Sequence, residues 1–309
     1  MSKVCSMTDP EVPGKGGRGF GVATEWGRLT AVLLHTPWPG LHRLDEPEQY
    51  LHAGPIDFPG LQEECRTLRR LYLERGIEVL TVDYRSVAPE HNNALYNLLY
   101  CRDLVFMTPA GAVLSAMAEP LRRNEVRYAE RTLREAGVPI LGRILPPGRL
   151  EGADSLWLHS SEVLLGVGAR TNAEGAAQLE ALLAPFSVEV TRVPFAGGPT
   201  QHLLGVLQLV APDLALVRTE VTEAEVPRLL RDRGFEVVAV PEHPEVRSLQ
   251  AMNLVTLAPR KVLLAANRPF TEKFLTEAGI EVSGTCPIEQ LLRGAGGLAC
   301  ATAILAREA

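Results

Sequence analysis

The chain of 309 residues has only five cysteines, Cys5, Cys65, Cys101, Cys286 and Cys300, and no two of them stand at CxxC spacing. An odd, scattered set argues against a zinc knuckle or a redox pair and fits a reduced, cytoplasmic setting. Clustered Lys and Arg are missing too, and the formal net charge is −6. Nucleic acid is therefore not expected as a partner, because phosphate binding needs such clusters. No apolar run approaches membrane-spanning length; "LLGVLQLVAPDLALV" is interrupted at Pro212 and Asp213. The opening residues, "MSKVCSMTDPEVPGKGGRGFG", lack the apolar core of a secretory signal. Gly14, Gly16 and Gly19 formally spell GxGxxG, but no strand precedes them, so a nucleotide site is not expected there. Residues 1–25 are read instead as a mobile N-terminal segment.

What the chain does have is a repeat. The strings "RGIEVLTV" (75–82), "AGVPILGR" (136–143), "FSVEVTRV" (186–193), "RGFEVVAV" (233–240) and "AGIEVSGT" (278–285) read as short strands. Each follows a helical stretch, such as "LQEECRTLRRLYLER" or "AEGAAQLEALLAP". In four of the five a glycine stands where a helix C-cap is expected. Ahead of most helices comes a pair of apolar strands, as in "LVFMTPAGAVLSA" and "NLVTLAPRKVLLAAN". The unit is strand, strand, helix, strand, about fifty residues long, repeated five times. Five units around a pseudo-fivefold axis would make one closed, propeller-like α/β domain over 1–309 with a central site; an open α/β sheet is the alternative.

Several reactive side chains recur at one place in this unit. Asp103, in "YCRDLVF", precedes an apolar strand and taken alone reads as a turn acid. Glu151 and Asp154 precede the hairpin Ser155–Leu158 and Val163–Val167, and Arg170 follows it. His202, in "GPTQHLLGVLQLV", opens another strand pair and taken alone reads as a backbone-bonded histidine. Cys300, in "LLRGAGGLACATAIL", follows a glycine-rich loop and is placed inside the last strand; taken alone it is a small core residue. Asp103, Glu151, His202 and Cys300 each begin a strand pair in a different unit. In a closed ring such positions face one axis and would converge on one pocket.

From about Thr30 to about Leu305 the chain resembles the guanidino-group-modifying superfamily: arginine deiminases, dimethylarginine dimethylaminohydrolases and amidinotransferases. The motifs that carry the resemblance are Arg102-Asp103, Glu151-Gly152-Ala153-Asp154 (where the family has EGGD), Arg170-Thr171-Asn172, His202, and Gly296-Gly297-Leu298-Ala299-Cys300. The resemblance implies a five-bladed α/β propeller, a small-molecule guanidino or ureido substrate, no cofactor and no metal, and it admits a homodimer. It implies roles as well. Cys300 would attack the guanidino carbon, since a thiolate suits so poor an electrophile. His202 would protonate the departing amine and then activate water. Glu151 would hold the His202 ring. Asp103 would accept from the guanidinium. Arg122 and Arg170 would clasp the substrate carboxylate, and Asp154 would position neighbouring loops around the substrate.

Two departures from the family stand out. Ala153 replaces a glycine, which would add strain if that position had positive φ. Leu204 stands where the deiminases carry a second guanidinium-binding acid. An unsubstituted guanidinium would leave donors unpaired there, at about 1–3 kcal/mol, so this position leans towards a substituted guanidine or a ureido group. The first reading is thus a Cys-dependent, dimethylarginine dimethylaminohydrolase-like hydrolase. An amidinotransferase and a non-catalytic ligand-binding member of the fold are the alternatives.

Overall fold

The computed structural model describes residues 19–43, 45–84, 95–195, 197–198 and 200–308. Gly14, Gly16 and most of the leading segment fall outside them. Within that segment, Gly21 donates to Leu305 O and its carbonyl accepts from Arg307 N.

Two strands, β1 (Arg28–His35) and β2 (Glu78–Val82), flank α1 (Phe58–Leu73). Four chain-consecutive units follow. They are β3 (Val105–Thr108), β4 (Gly111–Leu114), α2 (Val126–Glu135) and β5 (Ile140–Arg143); β6 (Ser155–His159), β7 (Glu162–Gly168), α3 (Ala173–Leu183) and β8 (Glu189–Phe195); β9 (Leu207–Ala211), β10 (Leu214–Val217), α4 (Glu225–Asp232) and β11 (Glu236–Ala239). Then, after the short α5 (Pro244–Arg247), come β12 (Val255–Ala258), β13 (Lys261–Ala265), α6 (Pro269–Glu277) and β14 (Glu281–Cys286). Two more short helices, α7 (Glu289–Arg293) and α8 (Leu298–Ala301), lead to β15 (Ala303–Glu308), which returns to pair with β1.

Among the described residues these strands form five three-stranded sheets, each with the same pairing. The first two strands are antiparallel, as Phe106 opposite Val113, and the third runs parallel to the second, as Leu164 beside Thr191. A parallel neighbour needs a long crossover, and the helix of each unit supplies it. First and second strands are the most buried: every residue of β3, β4, β9 and β10 is buried, while Glu189, Glu236 and Glu281 open the third strands towards solvent. The turn before each third strand explains the recurring glycine. Gly76, Gly137, Gly234 and Gly279 have φ of 70°, 77°, 87° and 72°, and in the unit of β6, β7 and β8 it is Ser187 that takes that left-handed place, at 55°.

The sheets touch one another through their first strands, the turns leading into them and, in one case, the middle strand β1. β15 packs on β3, β1 on β12, and β12 on β9. The turn Gly152–Asp154 packs on β3 and on the turn Leu203–Gly205, so each sheet contacts two others. A buried polar cluster ties several of them together. Glu25 accepts from Arg102 Nη2 and from Trp157 N, and Arg307 Nη1 donates to Gly27 O and Thr256 O. No helix among the described residues is long and apolar enough to cross a membrane.

Candidate active site

The segments entering the first strand of each unit carry the reactive side chains. Asp103 lies in a 3₁₀ turn, Cys101–Leu104, ahead of β3. Glu151 precedes the turn Gly152–Asp154 ahead of β6, and His202 precedes the turn Leu203–Gly205 ahead of β9. Gly152 has to be glycine, since a Cβ there would lie 2.4 Å from Val105 O. Ala153 is fully buried without a positive φ, so its replacement of glycine costs no backbone strain.

Cys300 corrects the sequence reading. It lies on α8, one helical turn before β15, and not inside the last strand. The reason is a cap from another unit: Asn253 Oδ1 accepts from Ala299 N at 2.6 Å and Cys300 N at 3.1 Å, satisfying donors that the start of a helix leaves free. The same amide donates from Nδ2 to Cys300 Sγ at 2.9 Å. Asn253 was not singled out from the sequence. The signal was available, because it occupies in the fifth unit, just ahead of β12, the place that Asp103, Glu151, His202 and Cys300 hold in theirs.

A cavity of about 260 Å³ brings Asp103, Arg122, His202, Leu204, Asn253 and Cys300 to one wall-lined space. Glu151 lies beneath it, fully buried, with Oε2 2.6 Å from His202 Nε2 and Oε1 accepting from Ala118 N. On the other side of the ring, Asp103 Oδ1 stands 3.7 Å from His202 Nδ1 and has no hydrogen-bond partner despite its burial. Burial alone would lower the His202 pKa, but the charge of Asp103, the bond to Glu151 and the charge of Asp154 raise it to about 9. Burial likewise opposes ionisation of Glu151; the bond and charge of His202, with Arg122 and Arg170 nearby, hold it down at about 2. His202 is thus an imidazolium at neutral pH, flanked by two carboxylates. Burial and the charge of Asp103 push the Cys300 thiol up to about 11, against the pull of Gly297 N–H, Asn253 and Arg122. The resting pair is therefore thiol and imidazolium.

The remaining expected residues are placed as follows. Arg122 lines the cavity, but its guanidinium is committed: Nη1 to Asp103 at 2.6 Å, Nε to Glu125 at 2.9 Å, Nη2 to the carbonyls of Asn97 and Tyr100. Glu125 is pushed up to about 7 by burial, which Arg122 only partly offsets. Arg170 lies outside the cavity lining, donating to Gln201 at 2.7 Å and pairing with Glu119 at 3.2 Å and Glu151 at 3.9 Å. Asp154 is buried behind His202, accepting from Leu203 N and Thr171 Oγ1, and so fixes the turn after His202. No metal cluster is legible in the sequence, yet Asp103, Glu151 and His202 bring three potential ligand atoms within 4.8 Å of one another. In that cluster the His202 ring stands between the two acids, with Nε2 on Glu151 and Nδ1 facing Asp103.

Comparison with known proteins shows the family and the fold. A family model described as arginine deiminase matches residues 69–193 and 212–307. A dimethylarginine dimethylaminohydrolase of Streptomyces coelicolor is 30% identical over 67% of this chain and 71% of its own. An arginine deiminase of Listeria welshimeri is 26% identical over 69% of this chain, and the match spans 62% of that protein's length. Among solved structures, DDAH from Pseudomonas aeruginosa complexed with citrulline superposes with a TM-score of 0.71, at 22% identity, over 89% of this chain and 99% of that one. An amidinotransferase from Microseira wollei superposes at 0.76, with 16% identity, over 94% and 98%. At such identities the two structures speak to the fold.

Proposed function

This chain belongs to the arginine deiminase family, within the guanidino-group-modifying superfamily, and from that premise we propose that it is a cysteine-dependent hydrolase of a guanidino compound, working through a covalent thiouronium intermediate. The observation that carries the reading is the convergence of Cys300, His202 and Asp103 on one cavity, with His202 bonded to buried Glu151. In this scheme the unpaired Asp103 Oδ1 accepts from the guanidinium N–H groups. The bound cation offsets the burial that keeps Cys300 protonated, and the thiol proton is released to solvent. Sγ then bonds to the guanidino carbon. As the C–N bond breaks, the leaving amine takes the proton of His202. Neutral His202 next removes a proton from water, the hydroxide adds to the same carbon, the C–S bond breaks, and a ureido product leaves. Glu151 keeps the ring oriented and charged between turnovers.

Leu204 lines the cavity and offers no acceptor, which favours an N-substituted guanidine over a free one. The five sheets, each touching two others, support a closed five-bladed propeller forming a single catalytic domain. The test is incubation with dimethylarginine, arginine and agmatine, with and without an added amine acceptor, measuring released amine, ammonia and ureido product. Wild type should turn over at least one of them and carry a trapped adduct on Cys300 by mass spectrometry. Cys300→Ser should stay folded and lose turnover and adduct. A Cys300→Ser protein that keeps most of its activity rules the covalent scheme out, and transfer to the amine in place of water reassigns the protein as an amidinotransferase.

A further inference from the structure

We propose that a small space beside the catalytic cavity is a site for one monatomic anion, such as chloride, held by Arg307 and Arg102. The inference goes beyond the hydrolase reading and does not depend on it. The space measures about 20 Å³ and is lined by residues of β9, β12 and β15. Leu204 forms part of its wall and part of the wall of the catalytic cavity. A volume of that size admits a body about as large as one water molecule. Carboxylates, sulfate and phosphate are too large for it.

The charges around this space do not balance. Among the described residues lining it, Arg102 and Arg307 are the cations and Glu25 is the one acid. The adjoining space of about 10 Å³, walled by Phe106, Met107 and Trp157, brings in no further acid. Glu25 is already shared: it accepts two bonds from Arg102 Nη2 and one from Trp157 N. Arg102 is buried, and its side chain makes no other hydrogen bond among the described residues. Arg307 donates only from Nη1, to the carbonyls of Gly27 and Thr256, while its Nε is buried with no partner. Burial lowers the Arg307 pKa to about 10, which leaves it a cation at neutral pH. One positive charge is therefore left over, together with guanidinium N–H groups that lack an acceptor. A buried charge without a counter-charge is costly, and so is a buried donor without an acceptor. A water molecule would accept from Arg307 Nε but would leave the charge standing. A halide satisfies the donor and cancels the charge, and a single atom of that kind fits the volume.

The test is diffraction from crystals of the wild-type protein soaked in bromide, recorded at the bromine absorption edge. An anomalous peak should stand between Arg307 Nε and Arg102. A paired measurement follows thermal unfolding in sodium chloride and in sodium gluconate at equal ionic strength, the gluconate anion being too large to enter. Chloride should raise the Tm of the wild type by roughly 2 °C or more. Arg307→Met leaves Arg102 and Glu25 as a balanced pair, so it should lose both the bromide peak and the chloride advantage. If that variant does not fold, the two wild-type measurements decide. An ordered water only at that place, bromide bound only elsewhere, no chloride advantage in the wild type, or an advantage of equal size in Arg307→Met overturns the inference.

Discussion

Glu151 has no solvent contact and yet stays ionised, because His202 takes its proton's place. The His202 pKa is raised from 6.5 to about 9, so the stability its protonated form contributes is fully present below about pH 6.5 and lost as pH rises through about 9. Glu151, lowered from 4.5 to about 2, contributes stability present above about pH 4.5 and lost as pH falls through about 2. If His202 is the general acid, activity should fall on the alkaline side near pH 9. Glu151→Gln should move that fall to lower pH and reduce kcat by about a hundredfold or more; a pH–rate profile with an unmoved alkaline limb would detach it from His202. Asn253→Ala removes the donor to Sγ and leaves the Ala299 and Cys300 amides without their acceptor, at about 1–3 kcal/mol. The thiolate then loses a hydrogen bond, so the acidic limb should shift upwards. An unchanged acidic limb with a lowered denaturation midpoint would reduce Asn253 to a structural cap. Cysteine, histidine and carboxylates were legible in the sequence because few residue types carry this chemistry and they recur at one place in the unit. Asn253 was not, since an amide before a strand looks like any turn residue until its partner's position in another unit is known.

The repeating element was legible for a different reason. Five strings of alike pattern, four with a glycine at the same step, state the strand–helix–strand order directly. Ser187 shows what that glycine does. It adopts φ of 55° where its counterparts are glycine, and at Gly137 an added Cβ would meet nothing within 4 Å, so conformation alone sets the preference there. Ser187→Gly should raise stability by about 0.5 kcal/mol, and Gly137→Ser should lower it by about 1 kcal/mol. Urea midpoints of the two variants moving in the same direction would show that the left-handed turn is not what the glycine serves. The short helices were not legible. "LACA" is apolar and small, and reads equally as strand or helix; α8 is decided by the Asn253 side chain arriving from the neighbouring unit. α5 is likewise invisible in the repeat, being fixed by Glu245 reaching the first turn of α6.

At the scale of the whole molecule, five small sheets are held by what crosses between them. Glu25 accepts from Arg102 and from the backbone of Trp157, with the cation of Arg307 close by. Burial lowers the Arg307 pKa to about 10, against the charge of Glu25. Glu25→Ala would leave Arg102 beside Arg307 with no acid between them, and should cost about 3–5 kcal/mol in urea denaturation. A loss below about 1 kcal/mol would mean that water already screens the pair. The pairing of β1 with β15 spans most of the chain: Arg28 and Glu308 meet across it 280 residues apart. During synthesis at about 5–20 residues per second, that separation of 280 residues leaves one edge of β1 open for roughly a quarter of a minute to a minute. An open apolar edge for that long invites pairing with other chains, so yield should depend on chaperone supply and growth temperature more than the stability of the finished protein would suggest. The same delay bears on the proposed chemistry. Cys300, the nucleophile of that scheme, lies just before β15, so it reaches its place beside Asn253 late, when β15 and β1 come together.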